Sequence, residues 1–250
     1  VKPVTASQGP GGRLRRYEGA FETRSVRIRD ARRLAPTLDR EGLTLRRHDT
    51  AVRDFRDPEE RRAVHAPEVE WLVAEVTGAR EVLVFDQTVR SGDADEQARE
   101  QLREPVRIAH NDYTDWSGPE RLRHALGEAA PPRLARRFAI VQVWRATHEP
   151  IERDPLALCD ASTVARPSLL AAERRHAERV GEIYQLLYAP AQRWLTVPGL
   201  RRDEALLFKV YDSATDGRAR FTPHASFVDP TSRPDAPPRR SLEARAFAFF

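Results

Sequence analysis

Beyond about residue 104 the chain is broken by Pro and Gly into short β-type segments, a spacing that leaves no room for a fold built on long regular helices. The segments are Pro105–His110, Phe138–Arg145, Glu182–Tyr188, Arg193–Val197, Ala205–Asp212 and Leu242–Phe250, all carrying β-branched, aromatic or other apolar residues. Many short strands with Pro-bearing connections point to an antiparallel sandwich or barrel and away from a doubly wound parallel sheet. Two helices are expected to interrupt them, one starting at Pro119 and one around Ser168–Ala177.

The preceding part has a different texture. Residues 1–16 read as a flexible tail, and 17–250 as a single domain in which an α/β part, 17–103, flanks the β core, 104–250. The clearest helix opens at Pro67, where a missing N–H is harmless. It carries Val69, Leu72, Val73 and Val76 at i, i+3, i+4 and i+7 and stops at Gly78. Glu81–Thr88 follows as an apolar, β-branched strand, and Ser91 to Glu100 reads as a polar loop.

Several function classes are excluded early. The chain has 250 residues, enough to bury a substantial core, with 40% hydrophobic and 32% charged residues. Its longest apolar stretch, Ala246–Phe250, is far short of the roughly 20 residues a membrane-spanning helix needs. Residues 1–16 hold no apolar run of the secretory type. The lone Cys159 has no internal disulfide partner, which fits a reducing cytoplasm. The formal charge is +4, and because only Lys2 and Lys209 are lysines, arginine carries nearly all the positive charge. These arginines alternate with acids, as in Arg29, Asp30 and Arg32, so a solvated surface is expected and a nucleic-acid stripe is not. There is no GxGxxG, no Walker sequence and no CxxC pair.

The residues that carry chemistry sit at the end of one strand-like segment. Val106, Ile108, His110 and Asp112 share a face, so an imidazole and a carboxylate point the same way from adjacent positions. H-x-D alone is a weak motif and needs a distant second histidine. His224, in Arg220-Phe-Thr-Pro-His-Ala-Ser-Phe227, is the candidate. Two histidines and a carboxylate suit ferrous iron, with positions left open for a bidentate 2-oxo acid and dioxygen. The second carboxylate of such an acid calls for a guanidinium. On the last strand Arg239, Ser241, Glu243 and Arg245 alternate onto one face. Arg239 with Ser241 is the first choice of anchor and Arg245 the second.

These residues, together with Val84-Phe-Asp-Gln-Thr-Val-Arg90, His110-Asn-Asp-Tyr-Thr114, Gln142-Val-Trp-Arg145, Pro155-Leu-Ala-Leu-Cys-Asp160, Lys209-Val-Tyr-Asp-Ser213 and Arg239-Arg-Ser-Leu-Glu-Ala-Arg245, resemble the non-haem Fe(II), 2-oxoglutarate-dependent oxygenases. The likeness is to those related to the component of cephamycin 7α-methoxylation, the hydroxylase/desaturase type. It runs from about Val26 to Phe250 and implies a double-stranded β-helix, a cupin-like jelly roll with flanking helices. It implies His110, Asp112 and His224 as iron ligands and Arg239 with Ser241 as the R-x-S element for 2-oxoglutarate. Gln142, Trp144, Arg145 and Tyr211 match as well, with Gln142 and Arg245 as further cosubstrate contacts and Arg145 and Tyr211 as catalytic candidates. The activity implied is hydroxylation, desaturation or cyclisation at an unactivated C–H of a small natural-product or amino-acid-like substrate, consuming O2 and releasing succinate and CO2.

Two other classes stay open on the residues alone. One is a metal-dependent hydrolase or isomerase with the same ligands, and the other a non-catalytic partner of a tailoring enzyme such as a methyltransferase. His48, His65, His124, His148 and His176 are expected to face solvent. Cys159 is expected to be a small buried apolar group, Trp71 and Trp194 core or rim aromatics, and Trp116 a floor for the substrate pocket. Arg90, Arg145, Arg218 and Arg220 are expected near the mouth.

Overall fold

The computed structural model describes residues 2–6, 16–17, 20–148, 150–175 and 180–250. Two sheets face each other. In the five-stranded sheet the spatial order is Leu43–Arg47 (β4), Glu204–Asp212 (β12), Phe138–Ala146 (β7), Arg240–Phe249 (β14) and Glu81–Ser91 (β5). In the nine-stranded sheet it is Arg16–Tyr17 (β2), Val4–Ala6 (β1), Leu169–Arg175 (β9), Val180–Leu186 (β10), His110–Asn111 (β6), His224–Ser226 (β13), Leu156–Cys159 (β8), Trp194–Thr196 (β11) and Ile28–Asp30 (β3). All pairs are antiparallel except β1 with β9 and β11 with β3. This is the expected mainly β, jelly-roll arrangement.

Residue parity along the strands makes the layers. Phe138, Ile140 and Trp144 of β7, Leu206 and Phe208 of β12 and Phe247 of β14 point inward, against Leu158, Tyr184 and Leu195 of the opposite sheet. Ala139, Val141, Val143, Ala244, Ala246 and Ala248 point outward and are covered by the helix Ala66–Thr77 (α2) through Val69, Leu72 and Val73. Gly78 ends α2 with φ 72°, a left-handed C-cap that glycine adopts without strain. Alanines on the outer face let α2 lie close to the sheet.

Several sequence expectations need correction. The segment around Ser168–Ala177 is not a helix: Leu169–Arg175 is a strand paired residue by residue with β10, and residues 176–179, His176 included, lie outside the described residues. Within the Ser91 to Glu100 loop there is a helix, Ala94–Glu100, capped by the Asp93 side chain on the backbone N–H of Asp95 and Glu96. Pro105–His110 is not a continuous strand, since only His110–Asn111 pairs. Of the tail, Val4–Ala6 lies parallel on β9, and residues 7–15 are outside the described residues. His48 and His65 are buried, not solvent-facing, and Trp71 is 63% exposed, so it is no part of the core. His124 and His148 are exposed, Trp194 is buried, and Cys159 is buried with its thiol pushed up to about 12 by burial.

The helix Ser117–Leu126 (α4) leans on Tyr211. A Cβ built on Gly118 would lie 2.5 Å from Tyr211 Cδ2, closer than any unstrained contact. Gly118→Ala should therefore cost about 1–3 kcal/mol of overpacking. That corresponds to a fall of about 2–12 °C in the unfolding midpoint, readable by differential scanning calorimetry, and an unchanged midpoint would contradict the packing described.

Candidate metal centre

His110 and His224 are direct register partners on the neighbouring antiparallel strands β6 and β13. Opposed residues in such a pair project from the same face, and the two ring centroids are 4.7 Å apart. Asp112 lies just past the end of β6 and joins the two imidazoles at the same place. One ligand atom from each of the three lies within 4.8 Å of the others, and all three residues are wholly or largely buried.

The orientation of each ring is fixed from behind. His110 Nδ1 donates to the Ile108 carbonyl at 2.7 Å and His224 Nδ1 to the Thr222 carbonyl at 3.0 Å. A carbonyl only accepts, so the proton sits on Nδ1 and each Nε2 keeps its lone pair for the centre. Burial and then the neighbouring His110 push His224 down to about 4, which keeps it neutral and able to ligate. Asn111, between His110 and Asp112, points the other way. Its Nδ2 donates to the carbonyls of Tyr113 and Val210, and its Oδ1 accepts from the N–H of Thr222. One buried amide thus holds β6, β12 and the His224 segment together.

Asp112 is set by Arg245. Burial alone would raise its pKa, but Arg245, with the two imidazoles, holds it well below the usual carboxylate range. Arg245 Nε donates to Asp112 Oδ2 at 2.8 Å, Nη2 donates to Glu243 at 2.9 Å, and Nη1 pairs with Asp86. Every nitrogen of Arg245 therefore has an anionic partner. Glu243 also accepts from Arg90 at 2.7 Å and from Gln142 Nε2 at 3.3 Å. These neighbours outweigh burial and keep Glu243 ionised.

Arg239 is in the opposite situation. It is 3% exposed, lies over the Trp144 ring at 5.4 Å and donates from Nη1 to the Asp154 carbonyl at 2.9 Å. Among the described residues its Nε has no hydrogen-bond partner, nor does the wholly buried Oγ of Ser241 two residues on, nor Oε1 of Gln142. Burial, then the like charge of Arg90, pushes Arg239 down to about 9. A buried guanidinium with no ion pair among the described residues and a buried hydroxyl without a hydrogen-bond partner there are both costly, and both atoms fit a carboxylate supplied from outside.

Not every expected residue reaches the centre. Arg145, fully buried, lies on the outward face of β7 with Val143, the face opposite Gln142 and Trp144, and its Nη2 donates to His48 Nδ1 at 2.6 Å. Odd and even positions of one strand cannot share a face, so Arg145 lies away from the cluster of His110, Asp112 and His224. His65 lies near it, pushed down to about 3 by burial and then by Arg145, with Nδ1 2.6 Å from Gln87 Oε1. Tyr211 packs among Phe138, Phe221 and Gly118 in the core. Arg218 pairs with Asp216 and Arg220 with Asp115, so of the four arginines expected at the mouth only Arg90 joins the charged network. Asn111, Asp86 and Glu243 are site residues to which sequence reasoning gave no role. Glu243 was within reach, since it shares parity with Arg239, Ser241 and Arg245.

Comparison with known proteins agrees with this geometry. A family model described as an Oxidoreductase/YMDC permease-like domain matches residues 2–249. No helix among the described residues is long and apolar enough to cross a membrane. The chain is 31% identical to the alpha-ketoglutarate-dependent dioxygenase phiK of a fungal species, over 92% of this chain and 85% of that protein. It is 32% identical to the hydroxylase/desaturase CTB9 of Cercospora beticola, over 96% and 81%. Among solved structures, the iron and alpha-ketoglutarate-dependent endoperoxidase NvfI superposes with a TM-score of 0.88 at 27% identity, covering 99% of this chain and 93% of that one.

Proposed function

Because the chain belongs to the Fe(II)- and 2-oxoglutarate-dependent dioxygenases, we propose that His110, Asp112 and His224 hold its iron and that Arg239 with Ser241 takes the far carboxylate of 2-oxoglutarate. The donor set is the one that suits ferrous iron with open positions. The observation that carries the cosubstrate assignment is the pair of unsatisfied buried groups, Arg239 Nε and Ser241 Oγ. Arg245 is spent on three carboxylates and has no edge left for a fourth.

Bound iron and 2-oxoglutarate supply dioxygen activation coupled to decarboxylation to succinate and CO2, and with it the power to break an unactivated C–H bond. The protein's own groups do the positioning. The carbonyls of Ile108 and Thr222 keep both imidazoles in the ligating tautomer. Arg245 holds one oxygen of Asp112, which leaves Oδ1, 3.5 Å from His110 Nε2, on the side of the histidines. Gln142 and Glu243 line the inner face between the centre and Ser241, Glu243 balancing Arg90 and Arg245 so that the interior carries no uncompensated anion. The substrate is a small organic molecule of the natural-product type. How it is held relative to the centre selects hydroxylation, desaturation or ring formation. The hydrolase or isomerase reading and the non-catalytic one gain no support from the relatives, which are named as oxygenases.

Anaerobic addition of 2-oxoglutarate to the Fe(II) protein should produce a metal-to-ligand charge-transfer band in the visible. A flat spectrum with iron bound would overturn the chelation assigned to this centre.

A further inference from the structure

A cleft of ≈ 330 Å³ opens beside Asp112, a size within the range of small-ligand sites. Its wall combines three rings, Phe85, Tyr113 and Trp116, with the guanidinium groups of Arg103, Arg121 and Arg174. Trp116 is 51% exposed and forms part of this wall. The acids of the cleft already have partners. Asp86 and Asp112 are held by Arg245, Glu120 pairs with Arg123, and Glu182 binds Lys2 and Thr114.

Among the cations of the cleft, Arg103 stands apart. Arg103 forms no ion pair among the described residues. Its backbone is nevertheless pinned: it bridges to Arg90 of β5, and its carbonyl accepts from Ser91 N–H at 3.1 Å. Partial burial and then the like charges of neighbours, Arg90 foremost, hold it below its ordinary pKa. Arg174 is pushed down by burial, with Asp112 opposing the shift and Arg245, Arg103 and Arg90 adding to it. Arg121 lies over the Phe85 ring at 4.8 Å, and that ring is itself stacked on Phe247 at 4.1 Å, so both faces of Phe85 are covered. The cleft therefore offers Tyr113 and the exposed Trp116 next to converging positive charge.

We propose that this cleft binds the substrate as an organic acid, a carboxylate on a flat unsaturated or aromatic skeleton, with Arg103 pairing the carboxylate and Tyr113 and Trp116 holding the ring. The proposal rests on the iron centre assigned above and names the substrate class of that site. A guanidinium meets a carboxylate through two parallel N–H groups, a geometry a neutral ester does not reproduce. The rings accept flat surfaces of either compound.

The test is isothermal titration calorimetry with 2-naphthoate and its methyl ester. It is run on the Fe(II) protein under nitrogen with saturating 2-oxoglutarate, which blocks Arg239, and repeated on metal-free protein. The acid is expected to bind at least about tenfold more tightly than the ester. Arg103→Gln should erase that preference while ester affinity, which reports an intact cleft, stays the same, and Arg103→Lys should keep part of it. Equal binding of acid and ester, no binding of either, or a preference that survives Arg103→Gln would each overturn the proposal. The visible band of the 2-oxoglutarate complex is recorded first on the same sample. A band without acid preference overturns the substrate class and spares the centre; no band with the preference preserved does the reverse.

Discussion

Asp112→Ala is expected to give a folded chain that retains no iron after desalting and forms no succinate above background. Asp112 is the only anionic member of the three-ligand cluster, so its loss removes both a ligand and the charge that offsets a divalent ion. Arg245 would keep Asp86 and Glu243, so the fold should survive at a cost below the roughly 3–5 kcal/mol of a buried pair broken outright. Iron per chain by atomic absorption, succinate by chromatography and a circular-dichroism melt separate these effects. Iron bound one-to-one with turnover preserved would remove Asp112 from the centre.

Arg239→Gln carries the second large effect, on the cosubstrate alone. Hydrogen bonds to a charged group are worth about 1.5–3 kcal/mol each, so the 2-oxoglutarate concentration for half-saturation should rise by roughly 10- to 100-fold. Iron content should stay the same. Arg239→Lys should fall between, because an ammonium restores the charge without the fork. Ser241→Ala should have a smaller effect in the same direction. Arg245→Gln makes the contrast, as it leaves Asp112, Glu243 and Asp86 short of a partner and should lower the melting midpoint. Wild-type 2-oxoglutarate dependence in Arg239→Gln would transfer the anchor elsewhere.

How far the sequence reached can be argued from single residues. The sequence pairs His110 with Asp112 through a period of two, yet β6 ends at Asn111, so Asp112 is placed by the bend that follows and by Arg245, while His224 meets His110 through the register of β13 with β6. Strand parity also ranks the matching positions: Gln142 and Arg145 are three apart on one strand, so they cannot both face the centre, and the buried arginine meets His48 instead. Leu169–Arg175 misled for a different reason. Its run of Leu, Ala, Glu and Arg has high helix propensity, and pairing with β10 overrode it. Arg245 was ambiguous as an anchor because its ties to Asp112 and Asp86 join residues 133 and 159 positions away, which no local pattern reveals. The buried state of His48 and His65 depends in the same way on a strand and a helix meeting across the outer layer.

Asn111 gives the centre one further property. Since a single carboxamide grips the backbone on both sides of the histidine pair, the two imidazoles ride on one rigid frame and move in concert. Separation of the pair requires that bolt to be withdrawn, so the pincer is set before any ion arrives, and loading it asks for little rearrangement of the chain.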